Sequence, residues 1–238
     1  MSTHDHTPSD GTLRLPDGRA FGYQLGGAAT GTPILVLHGI PGSRFKFTTT
    51  DAPARALGQR VIALDRWSYG NTGAHPAPAL DAFAADIAHV MDHLGAPRFA
   101  VMGVSGGGPY ASAVAALLPN RVTALALVSP VGPMANMGYG RSVTPFHKFC
   151  FHVLPRMPGA THAIFSAFRL AVNRRPGVSC WITAANAPAA DRAILARVLA
   201  THDLVHIQLP FWLGVRTVRM APDAGVPTVA TLHVQGEH

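Results

Sequence analysis

Short apolar runs alternate with segments of helical periodicity along the first half of this 238-residue chain. The apolar runs cover residues 21–26, 33–38, 60–65, 99–104 and 122–130, and a further run at 226–234 follows much later. Between the third and fourth runs, apolar residues recur at helical spacing over residues 80–94, and Gly95 follows directly. This alternation predicts an α/β fold with a mostly parallel central sheet and helices on both faces.

Composition and charge exclude several classes of protein. Hydrophobic residues make up 48% of the chain and charged residues 13%, which is typical of a folded core and not of a disordered segment. The formal charge is +7, but the basic residues are scattered, so no nucleic-acid partner is expected. No apolar run approaches the roughly 20 residues that span a bilayer, and the N-terminus does not resemble a signal peptide, so we expect a cytoplasmic protein.

Histidine and cysteine spacing gives no sign of a metal or redox centre. The thirteen histidines include no helical pair of the kind that zinc hydrolases use with a glutamate. Cys150 and Cys180 follow neither a metal-binding nor a disulfide-exchange pattern, and we interpret them as ordinary thiols. No metal and no cofactor is therefore expected.

The segment GVSGG, residues 103–107, places one hydroxyl inside a glycine run between a predicted strand and a predicted helix. It fits the pattern Gly-x-Ser-x-Gly, in which a sharp turn lifts a nucleophilic serine above the sheet edge. A strained turn at Ser105 leaves no room for side chains two residues before and after it, which explains the glycines. Pro109 suits the first turn of the helix.

The same segment also matches a dinucleotide-binding fingerprint, Gly106-x-Gly108-x-x-Ala111. That fingerprint usually opens the first strand–helix unit of its fold and is followed about 20 residues later by an acidic residue. Here several predicted strands precede it, and the corresponding downstream position lies in an apolar run. We therefore favour the nucleophile interpretation over a dinucleotide enzyme.

A second motif, LVLHGIPGS at residues 35–43, follows another predicted strand. In folds with a nucleophile elbow, a backbone N–H from such a loop and the N–H after the serine form the oxyanion hole. Ile40 and Gly106 are the predicted donors. His38 and Asp65 are interpreted as structural residues that hold their own loops in place.

In order and spacing, the segments HGIPGS, DRWSYGNTG, GVSGGGPYA and ALVSPVGP resemble an α/β-hydrolase of the bacterial esterase and lipase-like group. The resemblance is firm over residues 13–133 and loose at the last predicted strand. It implies that Ser105 is the nucleophile, that residues 1–132 form the first part of the hydrolase core, that 133–222 form a helical cap inserted over the sheet, and that 223–238 return to the core. Trp67 and Ser68 depart from the Pro-Gly that the family usually has there.

A serine hydroxyl needs a histidine to accept its proton and an acid to orient that histidine. In the family these residues follow the last predicted strand and one further strand, whereas this sequence ends at VQGEH. The resemblance therefore implies that the last strand and helix of the core are missing. Glu237 and His238 are the candidates for the acid and the base, and the alternative is a pair in the predicted cap, His202 or His206 with Asp203.

Two functions from different classes follow. The first is a serine hydrolase that cleaves carboxylic esters or related acyl substrates through a Ser105 acyl-enzyme, with a small apolar or aromatic substrate. The alternative is a truncated, catalytically impaired or inactive hydrolase-fold protein that binds a ligand. Dehalogenase and epoxide-hydrolase chemistry is disfavoured, since those relatives have an aspartate where Ser105 stands. An uncovered last strand also predicts a homodimer formed through the sheet edge.

Overall fold

The computed structural model describes residues 8–39, 42–130 and 230–234, together with scattered positions between 149 and 167. Its strands and helices are listed here in chain order: β1 (Ser9–Arg14), β2 (Ala20–Gly27), β3 (Thr32–Leu37), a 3-10 helix (Arg44–Thr50), α1 (Asp51–Ala56), β4 (Gln59–Leu64), α2 (Leu80–His93), β5 (Phe99–Val104), a 3-10 turn (Ser105–Gly107), α3 (Gly108–Leu117), β6 (Val122–Val128) and β7 (Ala230–Val234).

The strands form one seven-stranded sheet in the order β1-β2-β4-β3-β5-β6-β7. The strands from β4 to β7 are parallel to one another, and β1 and β2 add an antiparallel hairpin at one edge. The expected α/β architecture with a mostly parallel sheet is therefore confirmed. Strand β1 was not predicted, because Leu13 is the only buried residue among its mostly polar side chains.

Side chains alternate along the central strands and build an apolar layer on each face of the sheet. Leu35 and Leu37 of β3 point into the larger cluster, which α2 and α3 cover. Val36, between them, points into the smaller cluster on the opposite face, with Phe47 of the 3-10 helix and Ala54 of α1. The parallel strands are thus buried on both faces, which explains their continuous apolar sequences.

Helix α2 positions the loop that follows β4 through one buried carboxylate. Arg19, in the β1–β2 turn, donates to both carboxylate oxygens of Asp86 at 2.7 Å each. The indole N–H of Trp67 donates to the same carboxylate at 2.8 Å. The indole also lies 4.4 Å from the His75 ring, centroid to centroid, in a stacked arrangement. Asp86 therefore ties the helix, the hairpin and the post-β4 loop together.

The proposed division into core, cap (133–222) and returning core cannot be compared with the structure, because the predicted cap lies almost wholly outside the described residues. Between residues 161 and 222 of this cap, only isolated helical positions at 163, 164 and 167 are described. Strand β7 is described over Ala230–Val234, inside the apolar run at 226–234, and it pairs with β6. Within the described ranges, no helix is both long and apolar enough to cross a membrane.

We expect Asp86→Ala to lower the free energy of unfolding by about 3 kcal/mol, because it removes the charge partner of a largely buried arginine and the acceptor of a buried indole. The matched control is Asp92→Ala on the same helix. Asp92 also pairs with an arginine, Arg121, but its side chain is 61% exposed, so its loss should cost no more than about 1 kcal/mol. Urea unfolding of both variants measures the difference, and equal losses would contradict the anchoring role.

Candidate active site

Ser105 occupies a sharp turn between the end of β5 and the start of α3. Its φ angle is +49°, in the left-handed region that a residue with a side chain rarely adopts. The backbone therefore has the strand–turn–helix geometry expected from the sequence, and the serine side chain is half-buried. A hydroxyl held in this way stands at the carboxyl edge of the sheet.

The glycines on either side of Ser105 are required by close packing. A Cβ atom on Gly103 would lie 2.6 Å from the Gly107 carbonyl oxygen and 2.7 Å from the Cβ of Ala111. A Cβ atom on Gly107 would lie 2.3 Å from the carbonyl oxygen of Leu37. The first glycine lets the helix fold back on its own strand, and the second lets the turn approach the end of β3.

That second approach brings the loop after β3 next to the serine. A Cβ atom on Gly39 would lie 3.0 Å from the Ser105 Cβ and 3.5 Å from its Oγ. Ile40, the predicted oxyanion donor that follows Gly39, lies outside the described residues. Gly106, the other predicted donor, is buried in the turn that leads into α3, where the first N–H groups of a helix lack intrahelical acceptors.

Strand register aligns the chain segments that meet at this edge. Leu37 of β3 is opposite Gly103 of β5, and Val104 is opposite Val128 of β6. Val128 is in turn opposite Val234, the last residue of β7. The carboxyl ends of four parallel strands are therefore level. Glu237 and His238, the candidate acid and base, follow β7 and lie outside the described residues.

His38, the first residue after β3, is completely buried and has both ring nitrogens in hydrogen-bonding contact. Nδ1 lies 2.8 Å from the Gly39 carbonyl oxygen, and Nε2 accepts the backbone N–H of Arg66 at 3.1 Å. Burial, followed by the nearby Arg66 charge, holds the pKa of His38 well below its usual 6.5. The imidazole is thus neutral with its proton on Nδ1, and these contacts support the structural role expected from the sequence.

Arg66 is a residue that the sequence analysis did not single out. Its side chain is buried, and its Nε donates to the His38 carbonyl oxygen at 3.0 Å. Its Nη2 donates to the Gly39 carbonyl oxygen at 3.1 Å. The guanidinium carbon also lies 4.8 Å from the centre of the Tyr69 ring and 4.9 Å from that of Tyr110, both within cation–π range.

Asp65, expected to accept local backbone bonds, does so and also forms a buried ion pair. It accepts the backbone N–H groups of Arg44, at 2.8 Å, and Asn71, at 3.2 Å. The Arg44 side chain bridges Asp65 and Asp10, so the loop after β3 is bonded to the end of β4 and to strand β1. A Cβ atom on Gly70 would lie 2.0 Å from an Asp65 oxygen, so a glycine is required there.

Trp67 and Ser68 replace the Pro-Gly that the family usually has, and both fit the loop. Ser68 has a φ angle of +62°, a conformation that glycine adopts more easily, and its backbone N–H bonds to the carbonyl oxygens of Thr72 and Gly73. Trp67 supplies the indole bond to helix α2. In the part of the chain that the structure describes, no group of three or more His, Cys, Asp or Glu side chains is placed to hold a metal ion.

We expect Gly103→Ala to destabilise the protein by about 2–3 kcal/mol, because its Cβ would overlap backbone atoms of the serine turn. Gly73→Ala is the matched control, since the nearest atom to its added Cβ lies at 3.8 Å. That substitution should leave the free energy of unfolding unchanged or slightly higher. Denaturant midpoints of the two variants measure the difference in stability. If Gly103→Ala is as stable as the control, the close packing of Gly103 against the serine turn is contradicted.

The lowered pKa of His38 predicts that the stability of the protein depends on pH. Because the folded-state pKa is depressed, protonation favours the unfolded chain, so stability is fully present above about pH 6.5 and declines as the pH falls below it. The decline approaches about 1.4 kcal/mol per pH unit for one proton. Urea unfolding between pH 7.5 and 5 should show a shallower decline for His38→Gln. His89→Gln, at an exposed position, is the control and should keep the original slope.

Known proteins similar to this chain share this architecture. The family model for the alpha/beta hydrolase fold matches residues 32–149. The chain is 34% identical over 111 residues to the dihydrolipoyllysine-residue acetyltransferase component of an acetoin cleaving system from Pseudomonas putida, covering 46% of this chain and 30% of that protein. It is 29% identical over 138 residues to the sn-1-specific diacylglycerol lipase ABHD11 of Xenopus laevis, covering 57% of this chain and 44% of the lipase.

Among solved structures, the epoxide hydrolase VrEH1 from Vigna radiata has a TM-score of 0.60 with 18% identity, over 88% of this chain and 72% of that one. This likeness concerns the fold alone. The chain spans less than half the length of the two curated relatives. The serine turn, the loop after β3 and strands β3 to β6 all lie within the matched segment. The chain belongs to the α/β-hydrolase fold family.

Proposed function

We propose that this protein is a serine hydrolase that cleaves carboxylic esters or related acyl substrates through an acyl-enzyme on Ser105. The observation that carries the proposal is the turn at Ser105, whose positive φ is maintained although it is strained for a serine. A glycine-lined contact with the loop after β3 accompanies it. Strain of this kind persists where the position of one side chain matters, and here that side chain is a nucleophile.

In the proposed reaction, Ser105 Oγ forms a bond to the carbonyl carbon of the substrate while a base accepts the hydroxyl proton. The carbonyl π electrons move to the oxygen, and we assign the backbone N–H groups of Ile40 and Gly106 as its donors. Collapse of this intermediate breaks the bond to the leaving alcohol, which takes the proton. Water then attacks the acyl group by the reverse of these steps and releases the acid and Ser105.

Two named relatives support acyl chemistry. One is a diacylglycerol lipase, whose name describes ester cleavage, and the other is an acetyltransferase component, whose name describes acyl transfer. The fold is shared with epoxide hydrolases as well. The family resemblance implies an aspartate at this turn in epoxide hydrolases, whereas this chain has a serine there. We therefore propose a small apolar or aromatic ester as substrate, in a cytoplasmic setting.

For the proton acceptor we propose His238, with Glu237 as its acid. Strand β7 ends level with the end of β5 and two strands away, a distance of about 10 Å. Three or four extended residues span about 10–14 Å, so residues that follow Val234 have the reach to approach Ser105. The resemblance places the acid of the family after this strand and its histidine after one further strand, so the proposal for these two residues rests on their reach and not on a match to the family's motif.

Labelling with a fluorophosphonate probe tests the proposal, because the probe reports an activated serine without requiring the natural substrate. We expect stoichiometric labelling of the wild-type protein and none of Ser105→Ala. Ser112→Ala, on the next turn of α3, is the matched control and should label normally. His238→Ala should slow labelling by about 10³-fold or more if this histidine accepts the proton.

Absence of labelling in a folded wild-type protein would contradict the hydrolase proposal and favour a ligand-binding member of the family. Labelling that survives Ser105→Ala would place the reactive group elsewhere. Normal labelling of His238→Ala would leave Ser105 as nucleophile but assign the proton transfer to another residue.

A further inference from the structure

We propose that Arg66 is a positioning residue for the oxyanion hole, acting by holding the carbonyl groups of the loop after β3. This inference rests on the proposed function of Ser105. It is carried by two hydrogen bonds, from Nε to the His38 carbonyl oxygen and from Nη2 to the Gly39 carbonyl oxygen. Both carbonyls belong to the segment that lies against the serine turn.

The hydrogen bonds of Arg66 act on the peptide group that precedes Ile40. In a trans peptide the carbonyl and the following N–H point in opposite directions. The carbonyl of Gly39 is held by Arg66 and by the Nδ1–H of His38. Because a peptide group is planar, holding this carbonyl restricts the orientation of the group to which the proposed function assigns the Ile40 donor.

The surroundings of Arg66 separate this role from that of an ordinary ion pair. Arg44, whose side chain is likewise buried, bonds to the carboxylates of Asp65 and Asp10. Within the described ranges, Arg66 has no carboxylate at ion-pair distance, and its guanidinium donates hydrogen bonds to two loop carbonyls. The Tyr69 and Tyr110 rings lie within cation–π distance of its guanidinium carbon. The fork geometry of a guanidinium suits two adjacent carbonyls, which a single ammonium group does not match.

The backbone of Arg66 takes part in the same arrangement. Its N–H donates to Nε2 of His38, which keeps the proton of that ring on Nδ1. Nδ1 can then donate to the Gly39 carbonyl, which accepts from Arg66 as well. One residue therefore holds this carbonyl directly and through His38. Replacing the Arg66 side chain removes its two hydrogen bonds to the loop carbonyls and leaves the backbone N–H bond to His38 in place. The Gly39 carbonyl should then be held less firmly, while the loop keeps its fold.

The experiment compares Arg66→Lys and Arg66→Met with wild type. Arg121→Met is the control, since Arg121 is also mostly buried and ion-paired but bonds to Asp92 and to the Pro97 carbonyl oxygen, away from the loops around Ser105. Turnover of a p-nitrophenyl ester should fall at least about 10-fold in kcat for both Arg66 variants, with KM changed little. Circular dichroism and urea unfolding establish that each variant is folded.

Inhibitor binding separates positioning from general loosening of the site. An aryl trifluoromethyl ketone adds to the serine and forms an oxyanion, whereas the matching alcohol binds without forming one. If Arg66 positions the donor, Arg66→Lys loses affinity for the ketone by about 10-fold or more and retains affinity for the alcohol. Equal losses for both compounds, or unchanged kcat in folded Arg66→Lys, would overturn the proposal.

The wild-type protein also distinguishes the two proposals from each other. If Ser105 is labelled by the fluorophosphonate in wild type but Arg66→Lys labels at the same rate, the positioning role is wrong and the hydrolase proposal stands. If wild type is folded and neither labels nor binds the ketone, both proposals are overturned together. If Arg66→Met does not fold, the measurements on Arg66→Lys alone test the proposal.

Discussion

The close approach between the serine turn and the end of β3 is the constraint on which the rest of this site depends. A side chain at Gly107 would collide with the carbonyl oxygens of Leu37 and His38, and one at Gly39 would press against Ser105. These contacts join two strands that are neighbours in the sheet but lie about 70 residues apart in the chain. Without both glycines, the nucleophile and the loop that borders it could not occupy the same edge.

Such an approach turns backbone polar groups towards each other, and they need partners. In the loop after β3, the His38 carbonyl accepts a hydrogen bond from Arg66. The Gly39 carbonyl accepts one from Arg66 and one from the neutral His38 ring. Because an unpaired buried carbonyl is costly, these bonds are part of the reason that the loop adopts one conformation. The protein therefore uses a cation and an uncharged imidazole to hold a loop that borders the nucleophile. A protonated His38 would lie beside the Arg66 charge, which is why burial and neutrality go together.

The central part of the fold could be predicted from the sequence, and the polar network could not. Strands β3 to β6 each contain an apolar run of four to six residues, because both of their faces are buried, and Ser105 is marked by glycines that packing requires. Strand β1 carries polar residues at the sheet edge, so its periodicity gives little signal. The Arg44–Asp65 pair spans 21 positions and depends on the strand register, which no local pattern encodes. Arg66 was missed for the same reason, since it acts on carbonyl groups that any residue could provide.

Trp67 and Ser68, where this chain departs from the family, connect helix α2 to the loops around Ser105. Ser68 keeps a positive φ that glycine would adopt with less strain, and Trp67 extends an indole N–H to the buried Asp86 on α2. The loop that carries Arg66 is thereby bonded to the helical layer on one side, while Arg66 itself bonds to the loop beside Ser105 on the other. A change in the helix packing at Asp86 would reach the Gly39 carbonyl through two adjacent residues, Trp67 and Arg66. Substitutions that improve or weaken that anchor should therefore alter the serine site without touching it, in proportion to how far they displace the Arg66 guanidinium.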